Sequence, residues 1–571
     1  SWTDEWYRQG NDVEDWGFGL TRADRSPKAA LDAVRSAFAE VPFAPTTPWP
    51  RISVIVCTYN GARTIRDCLE ALERLRYPDY EVIVVDDGST DATAAIAGEY
   101  DCRLIQTENR GLSSARNTGL EAATGEIVAY TDDDAYPDPD WLTYLASTFL
   151  TTTHAGVGGP NLAPPGDGVI ADCVARAPGG PIHVLLSDRE AEHIPGCNMA
   201  FRAASLRAIG GFDPQFRIAG DDVDVCWRLQ ASGASLGFAH AAVVWHHRRN
   251  SVRAYWRQQL QYGRAEALLE RKWPEKYDGA GHLNWSGRLY GHGLPQLWRH
   301  GRIYHGAWGS APFQSLYQPT PGTLWSLAGT PEWIFVIALL GGLSLLGLDW
   351  RPLLLALVPL AIAALLPVLH AGLGAARATF PSSSSPSERL GLRLRTAFLY
   401  LIQPFARLRG RLQLGLTPWR ERQRTGFARP MPRTMALWSE HWRALDQRLR
   451  AVEAALKAAS AATRRGGDYE RWDLEVRGGL LGAARLLAAA EDHGGAQLVR
   501  FRWWPRWSHL AIALALLFAA LTGGATFAQA WTAAAFLAAM TVLLAVRAAL
   551  ESARASATIA RALEPDGREA T

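Results

Sequence analysis

Two uncharged regions in the second half of the chain constrain its fold more than any other feature. The first region consists of residues 333–348 and 352–369, which carry no charged side chain and are separated only by Asp349, Trp350 and Arg351. The second region, residues 510–546, is uncharged throughout. A membrane-spanning helix needs about 20 apolar residues, and a helix that is apolar on every face suits lipid better than water. We therefore predict two transmembrane hairpins, at 331–373 and 506–550, with buried helices of a soluble protein as the alternative.

The region between the hairpins, 374–505, is polar, and its first part is strongly basic. Residues 374–433 contain 12 arginines and two acidic residues, Glu388 and Glu421. Because an excess of arginine beside a span marks the cytoplasmic side, we place 374–505 and a tail at 551–571 in the cytoplasm. Residues 393–411 predict either a helix lying in the membrane interface or a solvated basic helix. The pattern of 434–462 favours a helix, and that of 468–505 is mixed.

Charge and cysteine usage exclude several classes of protein. The net charge is only +3, so a general attraction to nucleic acid is not expected. All six cysteines precede residue 227 and none belongs to a C-x-x-C pair, which argues against zinc and redox motifs and favours reduced thiols. The frequent use of alanine and arginine is typical of a GC-rich bacterial genome, so the predicted location is a bacterial inner membrane.

The first half of the chain alternates short apolar runs with helical stretches. The predicted strands are 52–56, 80–85, 102–106 and 126–131, and the predicted helices are 62–75, 90–99 and 112–123. Such alternation indicates an α/β domain with a mostly parallel sheet covered by helices. In open sheets of this type, ligands bind at the carboxyl ends of the strands.

Polar residues follow three of these predicted strands. Residues 58–60 follow the first strand, Asp86 and Asp87 follow the second, and Asp132, Asp133 and Asp134 follow the fourth. Three neighbouring carboxylates repel one another, so a cluster of this kind is usually neutralised by a cation such as Mg²⁺ on a diphosphate. The alternative is a solvated acidic turn.

The order and spacing of these segments resemble those of an inverting family-2 glycosyltransferase. The matching segments are 52–56, 57–60, 84–91, 109–117, 132–134, 196–202, 210–213 and 220–224. The resemblance covers about a third of the chain, within 52–250. It implies a GT-A domain, which is the Rossmann-like fold of nucleotide-diphospho-sugar transferases, at 51–290, followed by an α-helical transmembrane region.

The donor-binding residues implied by the resemblance also make chemical sense individually. They are Thr58, Tyr59, Asn60, Asp87, Arg110, Arg116, Asp132 and Asp133. The first three can supply a hydroxyl, a stacking face and an amide to a nucleoside, and Asp87 can accept from a uracil-type N–H. For Asp87 the alternative is a helix N-cap or Asx-turn before Thr90. Arg110 and Arg116 could meet phosphate, or could form surface ion pairs.

The same resemblance implies a cation site and a general base. Asp132 and Asp134 resemble the D-x-D pair, and oxygen ligands suit Mg²⁺ or Mn²⁺. A histidine completes the metal site in relatives, which implies this role for His246 or its neighbour His247, with a structural histidine as the alternative. Asp222 takes the position of the base, supported by Asp221, which shortens the family's usual glutamate. The alternative is an acidic helix N-terminus.

Three further residues are predicted on the acceptor side. Asp224 is expected to orient the site or to cap its helix. Gln261 and Arg264 resemble the Q-x-x-R-W signature of processive synthases, but Ala265 replaces the tryptophan, so the aromatic platform for the acceptor is missing.

The tail and linker at 1–50 resemble the last strand and helix of a barrel-type glycoside hydrolase. The matching segments are 1–6, 15–20 and 25–31, and Glu5 is a carboxylate of the kind that such a site would use. The tail is therefore predicted to be the remnant of a hydrolase domain in a larger fusion.

These observations predict a membrane-bound, inverting, metal-dependent glycosyltransferase. It would transfer a sugar from a nucleotide-diphosphate donor, of the UDP-sugar class, to a glycan or lipid-linked acceptor in cell-surface polysaccharide synthesis. Its predicted partners are the donor, the acceptor and membrane lipid, and no nucleic acid. The alternatives are a processive polysaccharide or glucan synthase and a catalytically silent scaffold that binds nucleotide sugar. A nucleotidyltransferase would need a lysine in its phosphate loop, and residues 88–91 contain none.

Overall fold

A computed structural model gives the fold of most of the chain. It describes residues 6–8, 11–13, 19–22, 24–40, 43, 46–277, 281–283, 285, 288–289, 304–305, 309–310, 328–380, 385–420, 426–459, 461–466 and 470–564. Residues 1–51 and 52–571 form separate units. The first unit contains an antiparallel strand pair and a helix: β1 (Trp6–Arg8), β2 (Asn11–Val13) and α1 (Ala29–Glu40). Much of the hydrolase-like sequence, Glu5 included, lies outside the described residues, and that resemblance stays a prediction.

The second unit begins with the predicted parallel sheet. Its first strands are β3 (Ile52–Thr58), β4 (Tyr80–Asp86), β5 (Arg103–Gln106) and β6 (Ile127–Asp132). The helices between them are α2 (Ile65–Glu73), α3 (Thr93–Ala97) and α4 (Leu112–Ala122). Each element lies within a few residues of its predicted bounds, so the alternation of the sequence is confirmed. All pairings among these strands are parallel, which brings the three polar strand ends to one edge.

Further elements follow along the chain, and some of their strands extend the sheet while others form separate small sheets. They are β7 (Ala135–Pro137), α5 (Trp141–Thr151), β8 (Gly156–Gly158), β9 (Asn161–Leu162), α6 (Val169–Ala175), β10 (Val184–Leu185), β11 (Glu190–His193), β12 (Met199–Arg202), α7 (Ala203–Ala208), α8 (Asp221–Ala231), β13 (Leu236–Phe238), β14 (Val244–His246), α9 (Val252–Lys272), β15 (Arg288–Leu289), β16 (Tyr304–His305) and β17 (Gly309–Ser310). The main sheet of the described residues has ten strands in the order β15-β10-β11-β13-β8-β12-β6-β3-β4-β5.

The packing of this sheet explains why it forms a rigid base for a site. Its core contains fully buried aliphatic and aromatic side chains such as Ile55, Val85, Tyr130 and Phe201. A separate three-stranded sheet, β7-β14-β9, pairs His246 with Ala135. Because of this pairing, His246, which comes more than 100 residues later in the sequence, lies beside the turn that contains the aspartate run.

The apolar helices differ from the four predicted spans. They are α10 (Trp333–Leu346), α11 (Leu357–Arg377) preceded by a 3₁₀ turn, α14 (His509–Phe527) and α15 (Trp531–Leu563). Within the described residues, three helices are long and apolar enough to cross a membrane: Arg351–Arg377, His509–Phe527 and Trp531–Leu563. With 14 residues, α10 is only roughly 21 Å long at 1.5 Å per residue, against about 30 Å of hydrocarbon. The prediction that this helix spans therefore stays a prediction, since its described length falls short of the usual span.

The region between the membrane helices contains a second α/β body that the sequence pattern only partly predicted. Its elements are β18 (Arg433–Ser439), α13 (Leu445–Ala458), β19 (Thr463–Arg465), β20 (Leu474–Arg477), β21 (Gly482–His493) and β22 (Ala496–Trp507), with sheet order β18-β22-β21-β20-β19. The start of the predicted helix 434–462 is a strand, because β22 supplies its hydrogen-bonding partner. The predicted tail at 551–571 is also corrected, since α15 runs to Leu563 and packs Ile559 into this body's core.

Helix α12 (Pro386–Gln413) joins the catalytic half to the apolar helices. It crosses α9 at two glycines, Gly263 and Gly410, where an added methyl group would overlap the backbone carbonyl oxygen of Arg407 or Leu260. Its opposite face carries an exposed apolar stripe, composed of Leu390, Leu394, Phe398 and Phe405. Thus one face of α12 holds the catalytic domain, and the other presents apolar side chains to the surroundings.

The close crossing of α9 and α12 can be tested with two matched substitutions in one helix. Gly410→Ala should destabilise the protein by about 1–3 kcal/mol, because the methyl group has no room against the α9 backbone. Gly391→Ala should be neutral or stabilising by up to about 1 kcal/mol, since only the Arg395 guanidinium lies near that site. Thermal unfolding in detergent measures both. Equal effects of the two substitutions would contradict this description of the crossing.

Candidate functional site

The aspartate run lies at the carboxyl edge of the sheet, as its position after a strand predicted. Asp132 ends β6, and Asp133 and Asp134 form the turn into β7. The Asp133 carboxylate accepts a hydrogen bond from the hydroxyl of Thr58, at the end of β3. Gly61 passes so close to this carboxylate that a β-carbon there would overlap it. The first and fourth predicted strands are thereby joined at one rim.

Asp132, Asp134 and His246 form a candidate cation site. Their ligand atoms all lie within 4.8 Å of one another, and this is the group of that kind found among the described residues. His246 Nε2 is 3.0 Å from Asp134 Oδ1, and Arg249 donates to Asp134 Oδ2 over 2.9 Å. Two carboxylates and an imidazole suit Mn²⁺ or Mg²⁺, so the residues fit the predicted metal.

The protonation of His246 bears on how it would bind a metal. Arg248 donates to its Nδ1 over 2.7 Å, so Nδ1 is an acceptor and the proton lies on Nε2, where it faces Asp134. A metal ligand must present an unprotonated nitrogen. Nε2, which faces Asp134, is the nitrogen that would bind the metal.

The electrostatics of the run show a local excess of negative charge. Burial raises the pKa of Asp132, although Arg116 opposes the shift. Burial and the charge of Asp134 raise the pKa of Asp133 to about 7. Burial also works against the charge of Asp134, but His246 and Arg249 outweigh it and hold its pKa below the ordinary range. A cation added at this rim would stabilise the ionised form of all three.

A buried arginine links this rim to the predicted base. Arg116, on α4, is 3% exposed and donates to both Asp221 and Asp132, the latter over 3.3 Å. Burial opposes its charge, but the charges of Asp221 and Asp132 outweigh burial and raise the pKa of the guanidinium. Arg116 is therefore a charged bridge inside the protein, and its predicted contact with donor phosphate stays a prediction.

Asp222 occupies the first turn of α8 beside this bridge. It accepts from the Gly196 amide over 3.1 Å and faces His193 Nε2 at 3.4 Å. His193 Nδ1 lies 3.1 Å from the carbonyl oxygen of Ile182, a contact that orients the ring beside Asp222. Burial would raise the pKa of Asp222, but His193 and Arg116 outweigh it and lower this pKa to about 2. The carboxylate is thus ionised across the physiological range.

The predicted nucleoside-binding residues lie together on the neighbouring strand ends. Tyr59 is 53% exposed, and Asn60 has a left-handed φ of 55° and accepts a hydrogen bond from the Thr90 amide. The Asp87 carboxylate accepts from the amides of Arg110 and Gly111, over 2.8 Å each. It therefore stabilises the loop before α4 rather than the turn before Thr90, and its contact with a base stays a prediction. The Arg110 side chain is exposed.

The three residues predicted on the acceptor side have different surroundings in the structure. Asp224 is fully buried and is held by Arg228, Lys272 and Trp273, so it ties α8 to the end of α9, which is the structural role that the sequence left open. Arg264 donates to Gln413 of α12 over 2.8 Å. Gln261 lines the same cavity as Asp132, Asp222 and His246, which has a volume of about 980 Å³.

Two residues of this site escaped the sequence reasoning. His193 precedes the 196–202 segment, and Arg249 follows His246 in a run of basic residues. Neither has a local signal, because each is defined by a carboxylate that is distant in sequence. The pairing of Arg116 with Asp221 has the same origin.

Comparisons with known proteins agree with this geometry. The family described as glycosyl transferase family 2 matches residues 53–210. Glycosyltransferase AglE of Haloferax volcanii is 34% identical over 210 residues, which are 35% of this chain and 68% of that protein. The pre-mycofactocin glycosyltransferase of Mycobacterium tuberculosis is 31% identical over 274 residues, 45% of this chain and 56% of that protein. The chain thus spans about half the length of the latter relative.

Among solved structures, a mannosyltransferase from Pyrobaculum calidifontis in complex with GDP-Man and Mn²⁺ is 27% identical. The match covers 42% of this chain and 69% of that one, with a TM-score of 0.30. The sequence relationship to the Haloferax protein, together with the matched family segment and the mixed α/β sheet, gives the classification. This chain belongs to glycosyltransferase family 2.

Proposed function

We propose that this protein is a membrane-bound, inverting, metal-dependent glycosyltransferase. It transfers a sugar from a nucleotide-diphosphate donor, of the UDP-sugar class, to a glycan or lipid-linked acceptor in cell-surface polysaccharide synthesis. The observation that carries the proposal is the cavity lined by Asp132 and His246, two members of the candidate cation site, and by Asp222. A cation site beside an ionised carboxylate is what this transfer needs.

The chemistry follows from the charges of these residues. Mn²⁺ or Mg²⁺, held by Asp132, Asp134 and His246, would supply a Lewis acid for the diphosphate. Asp222 takes the proton of the acceptor hydroxyl while the acceptor oxygen forms a bond to the anomeric carbon. The bond from that carbon to the diphosphate oxygen breaks, and the nucleoside diphosphate leaves with the electron pair. Attack opposite the leaving group inverts the anomeric centre.

Helix α12 supports a location at the inner membrane, with the catalytic domain in the cytoplasm. Its exposed apolar stripe favours the interfacial interpretation over a solvated basic helix, because four large apolar side chains on one face gain from contact with lipid. The arginines of the same helix, such as Arg389, Arg393 and Arg409, suit anionic head groups. Nucleotide sugars are made in the cytoplasm, which favours a donor site on that side of the membrane.

The two alternatives are weaker on specific grounds. A processive synthase would be expected to keep the aromatic residue that Ala265 replaces. A silent scaffold would have no need of an ionised Asp222 beside a complete set of metal ligands. Turnover measurements separate all three.

The proposed reaction predicts metal-dependent release of a nucleoside diphosphate. Detergent-purified protein should turn over one of UDP-glucose, UDP-galactose, UDP-N-acetylglucosamine and GDP-mannose with Mn²⁺ or Mg²⁺ and a membrane extract as acceptor source. Asp222→Asn should lower this rate by about 10²–10⁴-fold, because the base is lost. Asp101→Asn, at an exposed carboxylate before β5, is the matched control and should leave the rate unchanged. Failure of every donor would contradict the proposal and favour the scaffold.

The contact between His193 and Asp222 predicts a shift in the pH profile. In His193→Gln, Asp222 loses one of the two neighbours that outweigh burial and keeps Arg116, so its pKa should rise. The base would then be protonated at higher pH, and the acid limb of kcat/KM should move upward by about one pH unit or more. His240→Gln, at an exposed histidine, should not move it. An unchanged acid limb in the first variant would show that His193 does not act through Asp222.

The cation site predicts direct metal binding that does not depend on turnover. Titration of the purified protein with Mn²⁺, followed by electron paramagnetic resonance, should reveal one tight site. Asp134→Asn should weaken it by at least about tenfold, since even residues that only support metal ligands have effects of that size. Asp101→Asn should bind Mn²⁺ as the unsubstituted protein does. Equal affinity of the Asp134→Asn protein would place the cation elsewhere.

A further inference from the structure

The cavity of the catalytic site extends to a candidate membrane span. At one end it is lined by Asp132 and Asp222, and at the other by Pro367, His370 and Ala371 of α11. Helix α11 belongs to the apolar segment Arg351–Arg377, which is long enough to cross a membrane. Within the described residues, a single space therefore adjoins both the proposed base and a helix that is long and apolar enough to cross a membrane.

The second wall of this extension is the interfacial helix α12. Tyr400, Gln403 and Arg407 of α12 line the cavity, on the side of the helix opposite to the exposed apolar stripe. The Tyr400 ring lies edge-on to His370, with 6.0 Å between ring centroids. The cavity thus passes between α11 and α12 at the level where the membrane surface is expected.

The side chains of α11 suit an elongated apolar ligand on its inner face. The buried positions of α11 are alanines, Ala363, Ala371 and Ala375, whereas its outer positions include Leu365 and Val368, each more than half exposed. Of these alanines, Ala371 lines the cavity, together with Pro367 and His370. The outer face is the one that packs against surrounding lipid.

The size of the cavity is consistent with two substrates. About 980 Å³ is at the upper end of the range for small-molecule sites, about 300–1,000 Å³. The arginines near its membrane end, Arg407 and Arg411, are neutralised by Glu266 and Glu332. This part of the cavity is therefore balanced in charge and does not require a highly charged soluble ligand.

We propose that the acceptor is a glycan carried on a membrane lipid, and that it reaches Asp222 through the passage between α11 and α12. The lipid chain lies against Pro367, His370 and Ala371 of α11, and the acceptor hydroxyl reaches Asp222. This inference rests on the proposed function and narrows its acceptor to the lipid-linked class. A water-soluble glycan acceptor is the competing outcome.

The test blocks the passage without touching the catalytic residues. Ala371→Trp places a large ring in the cavity, and Ala364→Trp places the same ring on the exposed face of the same helix. Full-length protein in detergent receives each of the four nucleotide sugars, radiolabelled in the sugar, with a membrane extract of the source cells. The product is then partitioned between organic solvent and water.

The expected result is a label in the organic phase that falls at least tenfold with Ala371→Trp and stays within twofold with Ala364→Trp. Donor hydrolysis without acceptor, and binding of UDP, should be the same in both variants, which shows that they are folded. If Ala371→Trp fails to bind UDP, Ala371→Leu replaces it and should give a smaller loss of the same kind.

Two other results have different meanings. A product found only in water, or an organic-phase product unaffected by the Ala371 variants, would overturn the lipid-linked acceptor while leaving the glycosyltransferase intact. Absence of donor hydrolysis and of transfer in the unsubstituted protein would instead contradict the proposed function itself.

Discussion

The ion-paired bridge made by Arg116 is the interaction on which the candidate site depends. It is almost completely buried, and it joins Asp132 at the end of β6 to Asp221 at the start of α8. Removing one partner of such a pair leaves an uncompensated buried charge, which costs about 3–5 kcal/mol. Because Asp221 precedes Asp222, the bridge also fixes the distance between the cation rim and the base.

The negative charge of each remaining carboxylate of the site is offset by a partner of its own. Asp134 is paired with His246 and Arg249, Asp222 faces His193, and Asp133 has the hydroxyl of Thr58. Neutral partners compensate less than cations do, which is why Asp133 has the pKa raised to about 7. Because each carboxylate has its own partner, the aspartate run and Asp222 can lie close to each other. The aspartate run can then hold a cation, while Asp222 can accept a proton.

The attachment of the catalytic domain to the apolar helices depends on a different principle, which is steric. Gly263 and Gly410 allow α9 and α12 to approach closely, and Arg407 and Arg411 then reach Glu266. The catalytic cavity extends to α11 because α12 is held at this distance. Bulkier residues at the crossing would separate the catalytic half from the helices that carry it.

Much of the fold was determined by local sequence signals. The parallel strands were predictable because buried β-branched runs alternate with helical stretches, and the clustering of Thr58, Asp87 and Asp132 followed from the common edge of parallel strands. The apolar segments were equally clear, although α10 has fewer residues than a span usually needs. The predicted helix 434–462 begins as strand β18, whose partner lies 70 residues downstream in the pairing of Arg433 with Trp503.

The sequence by itself determined which residue types stand at the strand ends and which helices prefer lipid, since both depend on short-range periodicity. Only the tertiary structure decided which charge faces which. His193 meets Asp222, Arg249 meets Asp134 and Asp87 stabilises the loop at Arg110, and these contacts depend on how distant segments pack. The reach of the cavity to α11 was decided in the same way, because a shared space between two helices is a property of their packing and of no single segment.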